Sequence, residues 1–107
     1  MNYILDKLSS NPRVTIITVC YNSEKTIKDT IESVLSQDYK NIEYIIVDAD
    51  SSDETKNIIQ KFVDKISLFI CEKDNGIYDG MNKGIKNSTG EIIGILNSSN
   101  LSKIRFS

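Results

Sequence analysis

The chain has 107 residues, 39% hydrophobic and 26% charged, which predicts one small globular domain. Its 13 basic and 15 acidic residues give a net charge of −2. The chain therefore lacks the surplus of basic residues that would indicate binding to nucleic acid or to an anionic membrane. The absence of histidine excludes His-dependent triads and His-ligated zinc sites. Met1–Ser10 lacks the apolar stretch of a signal peptide, and no run approaches a bilayer span, so we expect a cytoplasmic protein.

The first half of the chain predicts two strands, each followed by a helix. Residues 14–19 form a β-branched apolar run, and residues 27–35 repeat apolar side chains at helical spacing. A second apolar run covers residues 43–47 and ends at Asp48. Ser51 and Glu54 are spaced as a capping box, which predicts the start of the second helix.

The second half repeats the alternation. Residues 66–70 and 92–96 predict two more strands, with a helix between them. Ile77, Met81 and Ile85 recur at helical spacing, so this face of the third helix is expected in the core. Gly90 follows as a C-cap glycine would.

Strands that alternate with helices predict an α/β fold of three layers, α/β/α, around a parallel, Rossmann-like sheet. Right-handed crossovers allow the strand order 3-2-1-4, with a switch point between strands one and four. Ligands of such sheets bind outside the carboxyl ends at the switch point. Residues 20–24 and 97–100 lie there, and Asp48 to Asp50 lie one strand away. Cys20 and Cys71 end strands that are not neighbours, so we expect two free thiols.

Three kinds of site known on parallel sheets need residues that this chain lacks. A dinucleotide fold needs Gly-x-Gly-x-x-Gly after the first strand, and a P-loop needs Gly-Lys-Ser/Thr. Neither motif occurs, and Tyr21-Asn22 is not the acidic pair of a phosphoacceptor receiver. An aromatic ring after strand one and carboxylates after strand two remain, and together they suit a nucleoside. The alternative role for each is structural: covering the sheet end, capping a helix or forming a turn.

Five segments of the chain resemble family 2 glycosyltransferases and occur in the family's order. They are Val14–Asn22, Ile31–Gln37, Ile46–Thr55, Glu72–Gly84 and Gly90–Asn97. The third contains the pattern Val-Asp-x-x-Ser-x-Asp-x-Thr, and the fourth is similar to a version common in cell-surface polysaccharide transferases. The resemblance implies a glycosyltransferase A fold and a nucleotide-sugar donor, usually UDP-linked.

The same resemblance implies a set of nucleotide-binding residues. Tyr21 would pack against the base, and Asp48 would bond the uracil or the ribose. Asp74 would lie near the ribose and the entry of the sugar. Ala49 stands where a second acid is common, with Asp50 next to it. The predicted nucleotide-binding residues are Tyr21, Asn22, Asp48, Asp50 and Asp74.

The chain departs from the family at the metal-binding Asp-x-Asp motif. Asn97, Ser99 and Asn100 occupy its positions, and neutral oxygens are poor ligands for the Mg²⁺ or Mn²⁺ that the family uses. We therefore expect no metal, no catalytic residue and no activity in this chain alone, and we interpret residues 1–107 as one truncated nucleotide-sugar-binding domain. The alternatives are a non-catalytic nucleotide-binding module or a remnant. The family acceptor would be a glycan or a lipid-linked glycan.

The fourth strand predicts a possible contact with a second copy of the chain. Its residues 92–96 are apolar, and they would form a sheet edge with unpaired backbone groups. Alternatively, Ile104 and Phe106 of the following segment could cover this edge.

Overall fold

The computed structural model describes residues 10–98, which form alternating strands and helices. The elements are β1 (Val14–Cys20), α1 (Ile27–Leu35), β2 (Ile42–Asp48), α2 (Thr55–Gln60), β3 (Leu68–Cys71), α3 (Ile77–Lys86) and β4 (Ile92–Asn97), with a short 3₁₀ helix at Val63–Lys65. No helix in this part of the chain has the length and apolar character needed to cross a membrane.

The four strands form one parallel sheet in the order β3-β2-β1-β4, as the sequence predicted. Val14 of β1 lies opposite Ile42 of β2 and Ile92 of β4, so the central strands are in register along their length. All four carboxyl ends therefore lie at the same edge of the sheet. The order of the strands across the sheet changes direction at β1, because β2 and β3 lie on one side of it and β4 on the other.

Helices α1 and α2 cover one face of the sheet. Alternate residues of β1 and β2 point to this face, and Ile27, Ile31 and Val34 of α1 meet them at helical spacing. Ile59 of α2 is also fully buried there. The predicted three-layer arrangement is completed by α3 on the opposite face, where Met81 packs against the sheet.

The predicted orientation of α3 was wrong. Ile77 and Ile85 are 40% and 42% exposed, and of the expected apolar face only Met81 packs against the sheet. Gly80 and Gly84 are buried instead, facing β1. The helix turns its glycines inward because they allow its backbone to approach the strand closely.

Two predicted capping roles were also wrong. Ser51 does not cap α2; its hydroxyl donates to Asp48 and accepts from the Asn22 amide. Gly90 lies beyond the end of α3, and its amide donates to the Thr15 hydroxyl 2.9 Å away. Both residues join neighbouring segments of the sheet, which a local pattern could not reveal.

Candidate nucleotide site

A pocket of about 660 Å³ opens at the carboxyl ends of the strands. Its volume is in the range of small-molecule sites. Residues from all four strand ends contribute to its lining: Val19, Cys20, Tyr21, Ala49, Asp50, Lys73, Asp74, Gly76, Ile77 and Asn97. The topology thus assembles one site from segments far apart in sequence, at the switch point where the sequence placed it.

Tyr21 is the aromatic group of this pocket. It follows β1 directly and is 57% exposed, so its ring is available to a ligand. Asp50 follows β2 and forms an ion pair with Lys56. The Lys56 ammonium, hydrogen-bonded to Asp50, lowers the pKa of that carboxyl. The two side chains bring a flat surface and an anionic acceptor to one side of the pocket.

Asp74 lines the pocket from the β3–α3 loop. Its Oδ1 accepts from the Gly76 amide at 3.0 Å, in a turn where Gly76 has a φ of +114° that favours glycine. Lys83 of α3 braces the same loop by donating to the Lys73 carbonyl at 2.9 Å and pairing with Glu72 at 3.2 Å. These contacts therefore hold the loop before and after Asp74, which lines the pocket.

Asp48 lies beneath the pocket and is fully buried. Its carboxylate accepts from the Ser51 amide at 2.8 Å and the Ser51 hydroxyl at 2.5 Å. The thiols of Cys20 and Cys71 also donate to it, at 3.3 and 3.6 Å. Both cysteines are free, and burial together with the nearby Asp48 raises the pKa of each thiol. The acid is thus satisfied inside the protein, below the residues that line the pocket.

Asn22 also makes its contacts within the protein. Its side-chain oxygen accepts from the Ser52 amide at 2.8 Å. Of the five predicted nucleotide-binding residues, the structure places Tyr21, Asp50 and Asp74 around one pocket. Asn22, in the loop after β1, and Asp48, the last residue of β2, do not line it, and their direct contact with a nucleotide stays a prediction.

The Glycosyl transferase family 2 profile matches residues 15–99. The chain belongs to this family. It is 46% identical over 88 residues to the Escherichia coli UDP-Glc:alpha-D-GlcNAc-diphosphoundecaprenol beta-1,3-glucosyltransferase WfaP, covering 79% of this chain and 34% of that protein. It is 34% identical over 90 residues to the Bacillus subtilis putative teichuronic acid biosynthesis glycosyltransferase TuaG, covering 81% and 36%.

Solved glycosyltransferase structures share the fold. The mannosyltransferase PcManGT from Pyrobaculum calidifontis, in complex with GDP-Man and Mn²⁺, has a TM-score of 0.76 and 25% identity over 86% of this chain and 30% of its own. TarS 1-349 from S. aureus, in complex with UDP-GlcNAc, has a TM-score of 0.74 and 28% identity over 80% and 26%. The sheet is thus the glycosyltransferase A fold that the sequence predicted, and the chain spans about a third or less of these proteins' lengths.

The family's metal position has a neutral donor set in this member. Asn97 lines the pocket, and the Ser98 side chain is buried. Ser99 and Asn100 lie outside the described residues and carry no charge by sequence. Among residues 10–98, no group of three acids or cysteines is arranged to hold a metal ion. These residues do not fit Mg²⁺ or Mn²⁺, which favour anionic oxygen ligands.

Sequence reasoning missed Lys73, which is the one cation among the described residues that line the pocket. It immediately precedes Asp74 at the end of β3, so the rule that ligands meet the carboxyl ends of strands could have identified it. It also missed the hydroxyl groups of Ser51 and Thr55, which join the loops behind Tyr21. No pattern within one segment signals those contacts, because their partners are 29 and 32 residues away.

Proposed function

We propose that this family 2 glycosyltransferase chain binds a nucleotide-diphosphate sugar, UDP-linked, in the pocket at the carboxyl ends of its strands. The observation that carries the proposal is the meeting of an exposed aromatic ring, Tyr21, with the carboxylates of Asp50 and Asp74 around one cavity. The ring suits a nucleobase, and carboxylates accept hydrogen bonds from base N–H groups and ribose hydroxyls.

The relatives support a UDP-linked donor. The name of WfaP specifies UDP-Glc and a diphosphoundecaprenol-linked sugar, and TarS was solved with UDP-GlcNAc. The whole-protein reaction proposed here is transfer of the sugar to a hydroxyl of an acceptor glycan or lipid-linked glycan, in surface polysaccharide synthesis. That residues 1–107 form a donor-binding unit, inactive alone, is part of the same proposal, and a cytoplasmic location stays a prediction.

A second candidate, a nucleotide-binding module without catalysis, is favoured by the neutral Asn97, Ser99 and Asn100. A metal held at this position would help to stabilise the diphosphate leaving group. No acid in this stretch can supply its anionic ligands. Titration with UDP in the presence and absence of Mn²⁺ separates the candidates. Metal-independent binding supports the module, metal-dependent binding supports the enzyme, and no binding refutes both.

Tyr21→Ala tests the placement of the base. Loss of the stacking surface should weaken UDP affinity by about 1–3 kcal/mol, or roughly 5- to 140-fold, measured by isothermal titration calorimetry. Tyr78→Ala is the matched control, because Tyr78 is 77% exposed and does not line the pocket. Equal affinities of the native chain and Tyr21→Ala would show that the base does not pack on this ring.

A further inference from the structure

The loop after β1 is attached to the loop after β2 through three consecutive backbone amides. The Asn22 amide donates to the Ser51 hydroxyl at 2.8 Å, and the Ser23 amide donates to the Thr55 hydroxyl at 2.7 Å. The Glu24 amide donates to the Asp53 carboxylate at 3.2 Å. These amides follow Tyr21 directly, so their partners determine the path of the loop that carries the aromatic ring.

Two carboxylates orient the hydroxyl groups in this contact. Ser51 donates its proton to Asp48 at 2.5 Å, and Thr55 donates its proton to Asp53 at 2.6 Å. A hydroxyl has one proton to donate, so each oxygen is left to accept from an amide. Asp48, Ser51 and Thr55 are all buried, which makes an unpaired group there costly and the arrangement specific.

The contact is reciprocal. The Asn22 side-chain oxygen accepts from the Ser52 amide at 2.8 Å, and the Glu24 carboxylate accepts from the Glu54 amide at 3.2 Å. Each loop therefore satisfies backbone groups of the other. We call this set of hydrogen bonds between residues 22–24 and 48–55 the loop clasp.

The loop clasp supports a backbone conformation that is otherwise unfavourable. Asn22 has a φ of +47° and Asp50 a φ of +65°, both in the left-handed region. Non-glycine residues adopt this region infrequently, although Asn and Asp tolerate it better than most, so contacts with the surrounding structure help to maintain it. Since Asn22 follows Tyr21 directly, its conformation helps to set the path of the backbone segment that carries the Tyr21 ring.

We propose that Asp48, Ser51, Asp53 and Thr55 are positioning residues, which bind no nucleotide themselves and hold Tyr21 in place for the base. This inference rests on the proposed function. It assigns Asp48 a role different from the base or ribose contact that the family resemblance implied. The reason is geometric: four hydrogen bonds within the protein already satisfy the Asp48 carboxylate, which has no exposed surface.

A double-mutant cycle with UDP binding tests the inference. Ser51→Ala should weaken UDP affinity about tenfold in the native chain, because the Asn22 amide loses its partner. In the Tyr21→Ala background it should weaken affinity no further, because it acts only through that ring. Its effect on the free energy of unfolding should be the same in both backgrounds. A merely structural role would lower this free energy and leave UDP affinity unchanged.

Thr55 offers an isosteric second variant. Thr55→Val removes the hydroxyl that accepts from Ser23, whereas Thr55→Ser keeps it. We expect UDP affinity to fall several-fold in Thr55→Val and to stay within about twofold of native in Thr55→Ser. Ser33→Ala is the control, because its hydroxyl bonds only to the Thr30 carbonyl within α1, remote from the clasp.

The outcomes separate the two proposals. If the native chain binds no UDP, the proposed function fails, and this inference fails with it. If the native chain binds UDP and Ser51→Ala and Thr55→Val bind it equally well, only the inference is overturned. Additive losses from Ser51→Ala and Tyr21→Ala would also overturn it, since Ser51 would then act on the nucleotide independently of the ring.

Discussion

Two buried carboxylates occupy opposite ends of β2, and each accepts several hydrogen bonds. Asp48 lies at the carboxyl end and anchors the loop clasp behind the pocket. Glu43 lies at the amino end and accepts from the Thr15 hydroxyl, the Thr89 amide and the Thr89 hydroxyl at 2.8 to 3.0 Å. Each of these carboxylates thus joins separate segments of the chain, Glu43 at the amino end of β2 and Asp48 at its carboxyl end.

Glu43 gives a prediction for stability against pH. Burial opposes ionisation of Glu43, but the hydrogen bonds from Thr89 and Thr15 outweigh it and lower the pKa below the ordinary 4.5. A group with a lowered folded pKa stabilises the protein above its unfolded pKa, and this contribution is lost as pH falls through the folded value. Glu43→Gln should therefore cost about 1–3 kcal/mol near neutral pH and much less in acid.

Urea unfolding of the native chain and Glu43→Gln at neutral pH and at about pH 3 measures this difference. Glu32→Gln is the control, because Glu32 is an exposed residue of α1. A stability gap between native and Glu43→Gln that stays constant across this range would contradict the assigned role of the ionised carboxylate.

At the scale of the elements, the approach of α3 to β1 decides how the third layer forms. The helix has apolar residues at regular spacing, but its buried positions are glycines. A Cβ built on Gly84 would lie 2.5 Å from Cγ2 of Ile17, which has no exposed surface. The close approach also brings the start of α3, with Asp74 before it, to the edge of the pocket.

Gly84→Ala should therefore destabilise the fold, although alanine is the better helix former. Overpacking against Ile17 costs about 1–3 kcal/mol, partly offset by about 1 kcal/mol of helix propensity. Gly80→Ala is the control in the same helix, because its Cβ would meet the movable end of Asp74 at 3.1 Å. Thermal unfolding of both variants measures the effect, and a Gly84→Ala variant as stable as native would disprove the close contact.

At the scale of the whole sheet, the described part of the chain forms one central pair of strands and two outer strands. Within residues 10–98, β4 pairs with β1 alone. Ile92, Ile93 and Ile95 on this strand are each about 40% exposed. An apolar, uncharged outer strand favours pairing with another chain. Ile104 and Phe106, the residues expected as an alternative cover, lie outside the described residues.

Self-association through β4 stays a prediction, and sedimentation velocity over a range of concentrations tests it. The chain should sediment faster as its concentration rises, and Ile95→Lys should abolish the change, because a charge on an outer strand opposes pairing. Val63→Lys is the control, with 38% exposure of Val63 in the 3₁₀ helix. A native chain that remains monomeric at all concentrations would contradict the prediction.

The sequence by itself determined the architecture and the edge of the sheet at which the candidate pocket lies. Alternating apolar runs and helical repeats predict a parallel sheet, and right-handed crossovers allow the order 3-2-1-4, which the structure has. Both follow from local periodicity and chirality, which a single chain displays directly. The carboxyl-end rule placed Tyr21 and Asp50 at one edge of the sheet, whereas Asp74 was implied only by the family resemblance. All three residues line the same pocket.

Only the tertiary structure decided which polar groups face the pocket and which face the protein interior. Asp48 and Asp50 are two residues apart, yet the first is buried and the second lines the pocket. Likewise, the inward face of α3 depends on how closely the helix approaches Ile17. The hydrogen-bond partners that join the two loops of the clasp are 29 to 32 residues apart in the chain. Periodicity within one element therefore cannot specify them.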